Sequence, residues 1–245
     1  MRTQSASPRL GVFRHGDRHR VSARVVLSRM GTYALLVLTS LITVFPFFIC
    51  LVTSFAPNKD VNAWPPRLIP SSFTMSNYVQ LFQRVPVERQ FLNSVIFSLS
   101  VTILSVVLDS LAAYALSRLD FRGRNVLLFA LIASMMVPYQ ALLIPIYKML
   151  AGSGIIASST MVAIVMPRMA DVAGIFLLRQ FFISLPKDLD NAARIDGAGE
   201  FRVFWSVVLP NARSGLFTLA LFNFMNNWNA LLRPLIMTNR AEDRL

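Results

Sequence analysis

Charged and amide side chains stand inside otherwise apolar stretches of this sequence of 245 residues. In the hydrocarbon core of a bilayer a charged side chain costs at least about 2.5–3.5 kcal/mol, so such residues usually face a protein interior or a water-filled pathway. If these stretches cross a membrane, the chemistry they indicate is the binding of a polar solute along a hydrophilic pathway. The pathway candidates are Asp109, Arg168, Asp171, Asn223, Asn226 and Asn227.

Each pathway candidate also has a purely structural interpretation. Arg168 and Asp171 are three residues apart and would share a helix face, so they would neutralise each other and lock two helices together. Asp109 would pair with a neighbouring polar group, and the polar run 223–229 would pack between helices. The sequence leaves both interpretations open.

Enzymatic chemistry has no support in the sequence. It contains no intramembrane His/Glu metal set, Gly-x-Ser-x-Gly turn, aspartate dyad or Gly-x-x-x-x-Gly-Lys phosphate loop. His15 and His19 are four apart but have no third ligand nearby. Cys50 is the only cysteine, which excludes an intramolecular disulfide and a thiolate metal cluster. We therefore expect no catalytic residue, no metal and no cofactor.

Five apolar stretches must position the polar residues. The chain is 55% apolar and 15% charged, with a mean hydropathy of +0.55. Each stretch approaches or exceeds the roughly 20 residues that cross a bilayer core, and its apolar character extends all round the helix. The sequence predicts an all-α, polytopic membrane protein with spans at about 33–55, 91–116, 126–150, 159–182 and 214–237. Pro138 and Pro145 should break or kink the third span.

Basic residues flank the apolar stretches and account for a net charge of +12. Seven arginines precede the first stretch, and three more lie in the short connection 117–125. By the positive-inside rule both segments are cytoplasmic, which makes residues 1–32 a basic cytoplasmic tail before a transmembrane domain at 33–245. The tail contains no aromatic residue except Phe13, so we expect no nucleic-acid partner.

The cytoplasmic segment 184–210 is long and amphipathic, unlike the other connections. Ser184 is predicted to cap a helix whose positive end is met by Asp188 and Asp190. That helix should stop at Gly197, because glycine adopts the left-handed conformation at helix ends most readily. The segment thus predicts a helix, a turn and a second helix.

The second helix of this elbow has one apolar stripe, expected to anchor it to the spans. Its members, at i, i+3, i+4 and i+7, are Phe201, Phe204, Trp205 and Val208. Leu209-Pro210 is expected to end the helix. The small side chains of Ala192 and Ala193 would let another protein approach closely, so the elbow is interpreted as a docking element.

The elbow also carries a family resemblance. The run Asn191-Ala192-Ala193-Arg194-Ile195-Asp196-Gly197-Ala198, followed by Leu209-Pro210, resembles the EAA loop of bacterial ABC-importer permeases. The resemblance is strongest to the carbohydrate-importer class. Within that class, the most similar subunit type is that of the second maltose permease. Further segments that look like landmarks of this family are 73–78, 112–118, 121–124 and Trp228-Asn229. The resemblance covers about residues 33–240.

The resemblance implies a type I importer of the bacterial inner membrane, with a six-helix permease fold. Two permeases would form the pathway, cytoplasmic ATPases would dock on the elbows, and an external binding protein would deliver the solute. The ATPase, not this chain, would bind and hydrolyse ATP. The coupling residues that the resemblance implies are Asp190, Asn191, Ala192, Ala193, Asp196, Gly197, Ala198, Phe201, Leu209 and Pro210.

Three features depart from the family pattern. The leading glutamate of the motif is Asn191, so Asp190 or Asp188 is expected to supply the missing charge. A proline usual in the family is Ser214. Family members have a sixth span and a cytoplasmic tail, so this sequence is expected to lack the last span and to transport poorly without it.

The sequence thus predicts a permease subunit that imports a sugar or a related polyol. The alternatives are a permease for another small solute, such as glycerol phosphate, a peptide or an ion, and a stand-alone channel, which has no use for a docking elbow. A membrane enzyme is the third class. The solute stays undetermined, because solute contacts scatter over several spans and form no local motif.

Overall fold

The fold is helical throughout the residues described by the computed structural model, which are 23–64, 67 and 69–238. The helices are α1 (Ala23–Ser54), α2 (Asn58–Val61), α3 (Ser76–Arg84), α4 (Val87–Arg118), α5 (Arg124–Ser134), α6 (Tyr139–Gly152), α7 (Ile155–Ser158), α8 (Thr160–Val165), α9 (Val172–Ser184), α10 (Lys187–Ile195), α11 (Glu200–Val203), α12 (Leu209–Asn211), α13 (Arg213–Trp228) and α14 (Leu232–Met237). A 3₁₀ turn (Met166–Arg168) follows α8, and a π-helical turn (Phe204–Val208) joins α11 to α12. Most of the basic tail, with His15 and His19, lies outside the described residues. The all-α prediction is confirmed.

Two helices and two bent helix pairs coincide with the first four predicted spans. Arg29–Ser54 within α1 and the whole of α4 are each long and apolar enough to cross a membrane. The pairs α5 with α6 and α8 with α9 each pass as one span with a bend. The fifth stretch divides into α13, with 16 residues, and α14, with 6. Neither alone crosses a bilayer core of about 30 Å, so the span at 214–237 stays a prediction.

Proline residues mark both bends. The axes of α5 and α6 meet at 98°, and Pro138 caps α6 in an extended conformation. The break expected at Pro145 does not occur, since α6 continues through this residue. The axes of α8 and α9 meet at 43°, and Pro167 lies in the 3₁₀ turn between them. A proline lacks a backbone N–H and cannot continue a regular α-helical bond pattern, which favours these bends.

The helix α4 is the centre of the unit Phe82–Leu245 and packs chiefly against α9 and α13. One apolar cluster joins the C-terminal half of α4 to α9, α13 and the second limb of the elbow, which runs from α11 to α12. Its most buried members include Ala113, Leu116, Leu178, Phe182, Val203, Phe204, Val208 and Leu219. A second cluster joins the N-terminal half of α4 to α6, α8 and α14, through Phe97, Val101, Leu143, Leu150, Ala163, Ile164 and Met237. A movement of α4 would therefore affect both clusters.

The connection after α1 consists of the short helices α2 and α3, as its turn-rich sequence predicts. Asn77 Nδ2 donates hydrogen bonds to the carbonyl oxygens of Ser54 and Ala56 at 2.9 and 2.8 Å. Asp60 is buried and accepts hydrogen bonds from the backbone N–H and the hydroxyl of Ser71, both at 2.6 Å. These bonds order the connection against the end of α1.

Gly174 allows α4 and α9 to approach closely. A Cβ atom at this position would clash with the carboxylate of Asp109 and would lie 2.9 Å from Leu219 Cδ1. The same carboxylate accepts a hydrogen bond from the backbone N–H of Asp171 at 2.9 Å, at the start of α9. The absence of a side chain at position 174 is therefore a condition for this contact.

Gly174→Ala is expected to separate α4 from α9 and to lower the free energy of unfolding by about 1–3 kcal/mol, the usual cost of overpacking. Gly152→Ala is the matched control, because a Cβ atom there meets nothing within 4 Å. Thermal unfolding in detergent should show a lower midpoint for Gly174→Ala alone. Equal midpoints for the two variants would contradict the close approach of the helices.

Candidate functional site

The first limb of the elbow is α10. The helix begins at Lys187 with Pro186 as its N-cap residue, whereas Ser184 is the last residue of α9. The predicted cap at Ser184 is wrong because the residue before a proline is driven towards extended backbone, which separates the two helices. Asp188 and Asp190 lie in the first turn of α10, as predicted.

Gly197 ends α10 in the left-handed conformation, with φ of 83°. Its N–H donates to the carbonyl oxygen of Arg194 at 3.0 Å, and the N–H of Ala198 donates to that of Ala193 at 2.9 Å. These two bonds form the Schellman arrangement that closes a helix C-terminus. A Cβ atom at Gly197 would meet nothing within 4 Å, so the backbone conformation rather than space requires glycine.

The side chains that the second limb buries differ from those of the predicted apolar stripe. Phe204 and Val208 are buried as expected, but Phe201 and Trp205 are 72% and 61% exposed, and Val203 is fully buried instead. The π-helical turn explains the change, because its i→i+5 hydrogen bonds shift the register of the side chains relative to an α-helix.

The second limb also continues past its predicted end. Leu209 and Pro210 lie in α12, which continues directly from the π-helical turn Phe204–Val208. The chain turns at Ala212, and α13 begins at the next residue. The predicted termination at Leu209-Pro210 is therefore wrong.

A buried ion pair ties the elbow to α4. Arg118 Nε lies 3.3 Å from Asp190 Oδ2, and the two side chains are only 2% and 3% exposed. Arg118 Nη2 also donates to the carbonyl oxygen of Leu185 at 3.0 Å. The sequence assigns Asp190 to the docking surface, but the ion pair places it in the interior. The acid that stays exposed in this turn is Asp188.

A second polar cluster joins the two limbs to α4. Arg194 donates through Nε and Nη2 to the two carboxylate oxygens of Glu200 at 2.9 and 3.2 Å, and through Nη1 to Asn191 Oδ1 at 3.2 Å. The hydroxyl of Tyr114 in α4 donates to Glu200 Oε2 at 2.6 Å. Hydrogen bonds from Arg194 and then Tyr114 lower the pKa of Glu200 from its usual 4.5. This cluster therefore stabilises the elbow above pH 4.5 and weakens as the pH falls through the lower folded pKa.

The remaining coupling residues divide between the outside and the inside of the elbow. Ala193, Ala198 and Leu209 are half-buried against the apolar cluster, and Pro210 is half-buried too. Ile195, which the coupling prediction omits, is 86% exposed. We define the elbow surface as the exposed coupling residues together with Ile195, which are Asn191, Ala192, Ile195, Asp196, Gly197 and Phe201.

Asp109 is fully buried between α4, α9 and α13. Its Oδ1 accepts from the backbone N–H of Asp171 at 2.9 Å, and its Oδ2 accepts from the Ser105 hydroxyl at 2.5 Å. Asn223 Nδ2 donates to Ser105 Oγ at 2.7 Å. Both carboxylate oxygens therefore have protein partners, which supports the structural interpretation of Asp109 and Asn223 over a direct solute contact.

Arg168 and Asp171 do not form the predicted pair on one helix face. The 3₁₀ turn that contains Arg168 ends before α9, and Asp171 caps α9 by accepting from the Ala173 N–H at 3.3 Å. Arg168 Nε instead donates to Asn227 Oδ1 at 3.3 Å. The pair prediction is wrong because the helix is interrupted between the two residues.

Arg168, Asn226 and Asn227 border a partly open cavity of about 290 Å³ within the unit Phe82–Leu245. Tyr139 and Arg233 border it as well. Arg233 is not among the predicted pathway residues, although a basic residue inside the fifth apolar stretch is the same signal that identified Arg168.

Sequence reasoning also missed three partners of the elbow, Tyr114, Arg118 and Glu200. Tyr114 and Arg118 are four residues apart at the end of α4 and so share one helix face, which is a signal that could have found them. No comparable local signal identifies Glu200, because its partners are 6 and 86 residues away.

Comparison with known families gives a match over residues 105–241. The family is described as binding-protein-dependent transport system inner membrane component. The matched range contains both the elbow and every charged residue of the cavity.

Two named relatives are similar over most of their length. The chain is 33% identical over 213 residues to the diacetylchitobiose uptake system permease protein NgcG of Streptomyces coelicolor, which covers 87% of the chain and 70% of that protein. It is 30% identical over 215 residues to the sn-glycerol-3-phosphate transport system permease protein UgpE of Yersinia pestis, which covers 85% and 76%.

A solved structure is similar in fold, with a TM-score of 0.77 over 91% of this chain and 78% of the other. It is the crystal structure of a bacterial ABC transporter involved in the import of the acidic polysaccharide alginate. At 22% sequence identity, this similarity shows the fold alone.

Asp190→Asn is expected to destabilise the protein by about 3 kcal/mol or more, because it leaves the Arg118 guanidinium buried without an opposite charge. Asp188→Asn is the matched control, an exposed aspartate in the same turn. Thermal unfolding and folded yield would be measured in detergent. Adding Arg118→Gln to Asp190→Asn should recover part of the loss, and equal stability of the two single variants would contradict the buried pair.

Proposed function

The chain belongs to the family of binding-protein-dependent transport system inner membrane components, and we propose that a cytoplasmic ATPase drives it by docking on the elbow. Within that family it is the permease component of an ABC importer. Members are membrane transport components, not enzymes. In this proposal the partner ATPase binds and hydrolyses ATP, and this chain converts the partner's movement into solute transport.

The observation that carries the proposal is an exposed apolar patch on an otherwise polar element. Ile195 and Phe201 are 86% and 72% exposed at and next to the turn of the elbow, and Trp205, 61% exposed, lies one helical turn beyond Phe201 beside α4. Apart from the exposed Leu189, the other side chains of α10 are polar, charged or alanine, which is not the composition of a lipid-facing helix. Exposed apolar residues in a polar rim are typical of protein interaction sites, which supports docking of another protein here.

The inner side of the elbow supports a mechanical role. Asp190 is ion-paired with Arg118, and Glu200 is hydrogen-bonded to Tyr114, so both limbs are attached to α4 by polar contacts. Val203 and Phe204 add a buried apolar attachment. A partner that displaces the elbow would therefore move α4 with it, and rocking of the packed helices would open the pathway alternately to the two sides.

Asn191 stands where the family motif has a glutamate, so another acidic residue must supply the negative charge of the docking site. Asn191 accepts a hydrogen bond from Arg194 and offers no carboxylate to a partner. Asp190 is buried and the exposed Glu200 is ion-paired with Arg194, which leaves Asp188 and Asp196 as the exposed acids of the elbow with no ion pair among the described residues. We propose that one of these two, rather than Asp190, pairs with a basic residue of the ATPase.

The solute proposed for this importer is a sugar, a related polyol or glycerol phosphate. The relatives support this range, since NgcG is named for the uptake of diacetylchitobiose and UgpE for the transport of sn-glycerol-3-phosphate. An external binding protein would deliver the solute, as the family description implies.

The proposed setting is the bacterial inner membrane, with the N-terminus and the elbow in the cytoplasm. The density of arginine before the first span and at 117–125 supports this orientation. Arg29–Ser54 is strongly apolar and has none of its residues buried. Lipid and a second permease subunit would cover this helix in the assembled importer.

Gly197→Asp is expected to reduce co-purification of the ATPase about tenfold. An L-residue in the left-handed conformation is strained by roughly 1–2 kcal/mol, and a carboxylate at a helix C-terminus adds repulsion. Gly154→Asp is the matched control, since Gly154 also has a positive φ, 76°, and open space around it. It lies in the segment 151–158, which is one predicted span away from the cytoplasmic segment 117–125 and is therefore expected on the external side.

The assay would express the chain with the products of its neighbouring genes and quantify the ATPase retained on the tagged permease. Retention by Gly154→Asp and loss by Gly197→Asp would support docking on the elbow. Equal retention by both variants, or no nucleotide-hydrolysing partner with the unmodified chain, would contradict the proposal.

A further inference from the structure

The cavity in the unit Phe82–Leu245 has a positive and otherwise neutral lining. Its volume of about 290 Å³ is near the lower end of the range for small-molecule pockets, which suits a monosaccharide-sized group or a triose phosphate. Its polar lining consists of Tyr139, Arg168, Asn226, Asn227, Asn229 and Arg233, and the other described residues that line it are apolar. Two guanidinium groups face this space, and none of the described residues that line it carries a carboxylate.

Arg233 has a nitrogen atom left without a hydrogen-bond partner. The residue is only 6% exposed, and its Nη1 is buried and has no partner among the residues that the structure describes. The guanidinium carbon lies 5.2 Å from the centroid of the Tyr139 ring, a cation–π contact that leaves the N–H groups at the edge free to donate. An unsatisfied buried charge is costly, so a partner for this group is expected.

The second guanidinium, of Arg168, is only partly satisfied by the protein. Its Nε donates to Asn227 Oδ1 at 3.3 Å. In the described part of the chain, neither Arg168 nor Arg233 forms an ion pair with a carboxylate, and the nearby acids are otherwise engaged. Asp109 accepts from Ser105 and from the Asp171 backbone, and Asp171 caps α9.

We infer that this cavity binds a solute carrying an oxyanion group, a carboxylate or a phosphate, between Arg168 and Arg233. Guanidinium groups bind both oxyanions with paired N–H donors, and a buried guanidinium without a partner is suited to such a ligand. The asparagines Asn226 and Asn229 would bind hydroxyl groups of the attached polyhydroxy body. The inference deepens the proposed function, on which it rests, by assigning the importer an anionic solute.

The test compares anionic probes with neutral molecules of similar shape. The full chain in lipid nanodiscs would be titrated with glucuronate and glucose, and with glycerol 3-phosphate and glycerol, at one ionic strength near 150 mM. Affinity would be measured by the shift of thermal unfolding with ligand concentration. The first pair tests a carboxylate and the second pair a phosphate, so the two sources of the oxyanion are distinguished.

The unmodified chain should bind at least one anionic probe about tenfold or more tightly than its neutral counterpart, as expected for hydrogen bonds to a buried charge. Arg233→Gln should abolish this preference, and Arg84→Gln, at an exposed arginine of α3, should retain it. Arg168→Gln provides a second test at a less buried position if Arg233→Gln fails to fold, and it should reduce the preference too.

Equal affinities for the anionic and neutral probes would overturn the inference, as would an unchanged preference in both cavity variants. An acidic residue of another subunit found paired with Arg233 in the assembled importer would overturn it as well. ATPase co-purification, measured on the same preparations, separates the two proposals. Retained ATPase with no anion preference contradicts the anionic solute alone, whereas anion binding without any ATPase contradicts the importer mechanism.

Discussion

A charged group buried among apolar side chains is tolerated only where a counter-charge or several hydrogen bonds meet it, and this constraint governs the arrangement around α4. Along this helix, Asp109, Tyr114 and Arg118 lie buried or nearly so at successive depths. Each is met by a different element: Asp109 by the start of α9, Tyr114 by Glu200 and Arg118 by Asp190. These contacts make α4 the common support of the transmembrane helices and the elbow.

The same constraint distinguishes the two functional regions. At the elbow the buried Arg118 has an opposite charge within the chain, Asp190, although its Nη1 has no hydrogen-bond partner among the described residues. At the cavity Arg233 is buried without such a match, and the chain offers the charge to something outside itself. Both regions contact α4, through Arg118 at its C-terminal end and Phe97 in its N-terminal half, so the elbow and the cavity share this helix as a support.

Local patterns in the sequence predicted the elements that depend on neighbours along the chain. The apolar stretches predicted the long helices, Pro138 predicted the bend of the third stretch, and Gly197 predicted the end of α10, because each effect acts within a few residues. Local reasoning failed where a tertiary effect intervened. The π-helical turn exposes Trp205 in place of Val203, and the interruption after Arg168 removes its expected pairing with Asp171.

The sequence by itself determined the helical membrane class, the family and the position of the elbow, because hydrophobic stretches, flanking charge and a contiguous motif are all properties of linear order. Only the tertiary structure decided which charges are satisfied. Asp190 and Asp188 are equivalent in the sequence, yet one is buried against Arg118 and the other is exposed. Arg168 and Arg233 are 65 residues apart in the numbering and meet at one cavity. Pairing and burial depend on distances in space between remote segments, and linear order does not specify these distances.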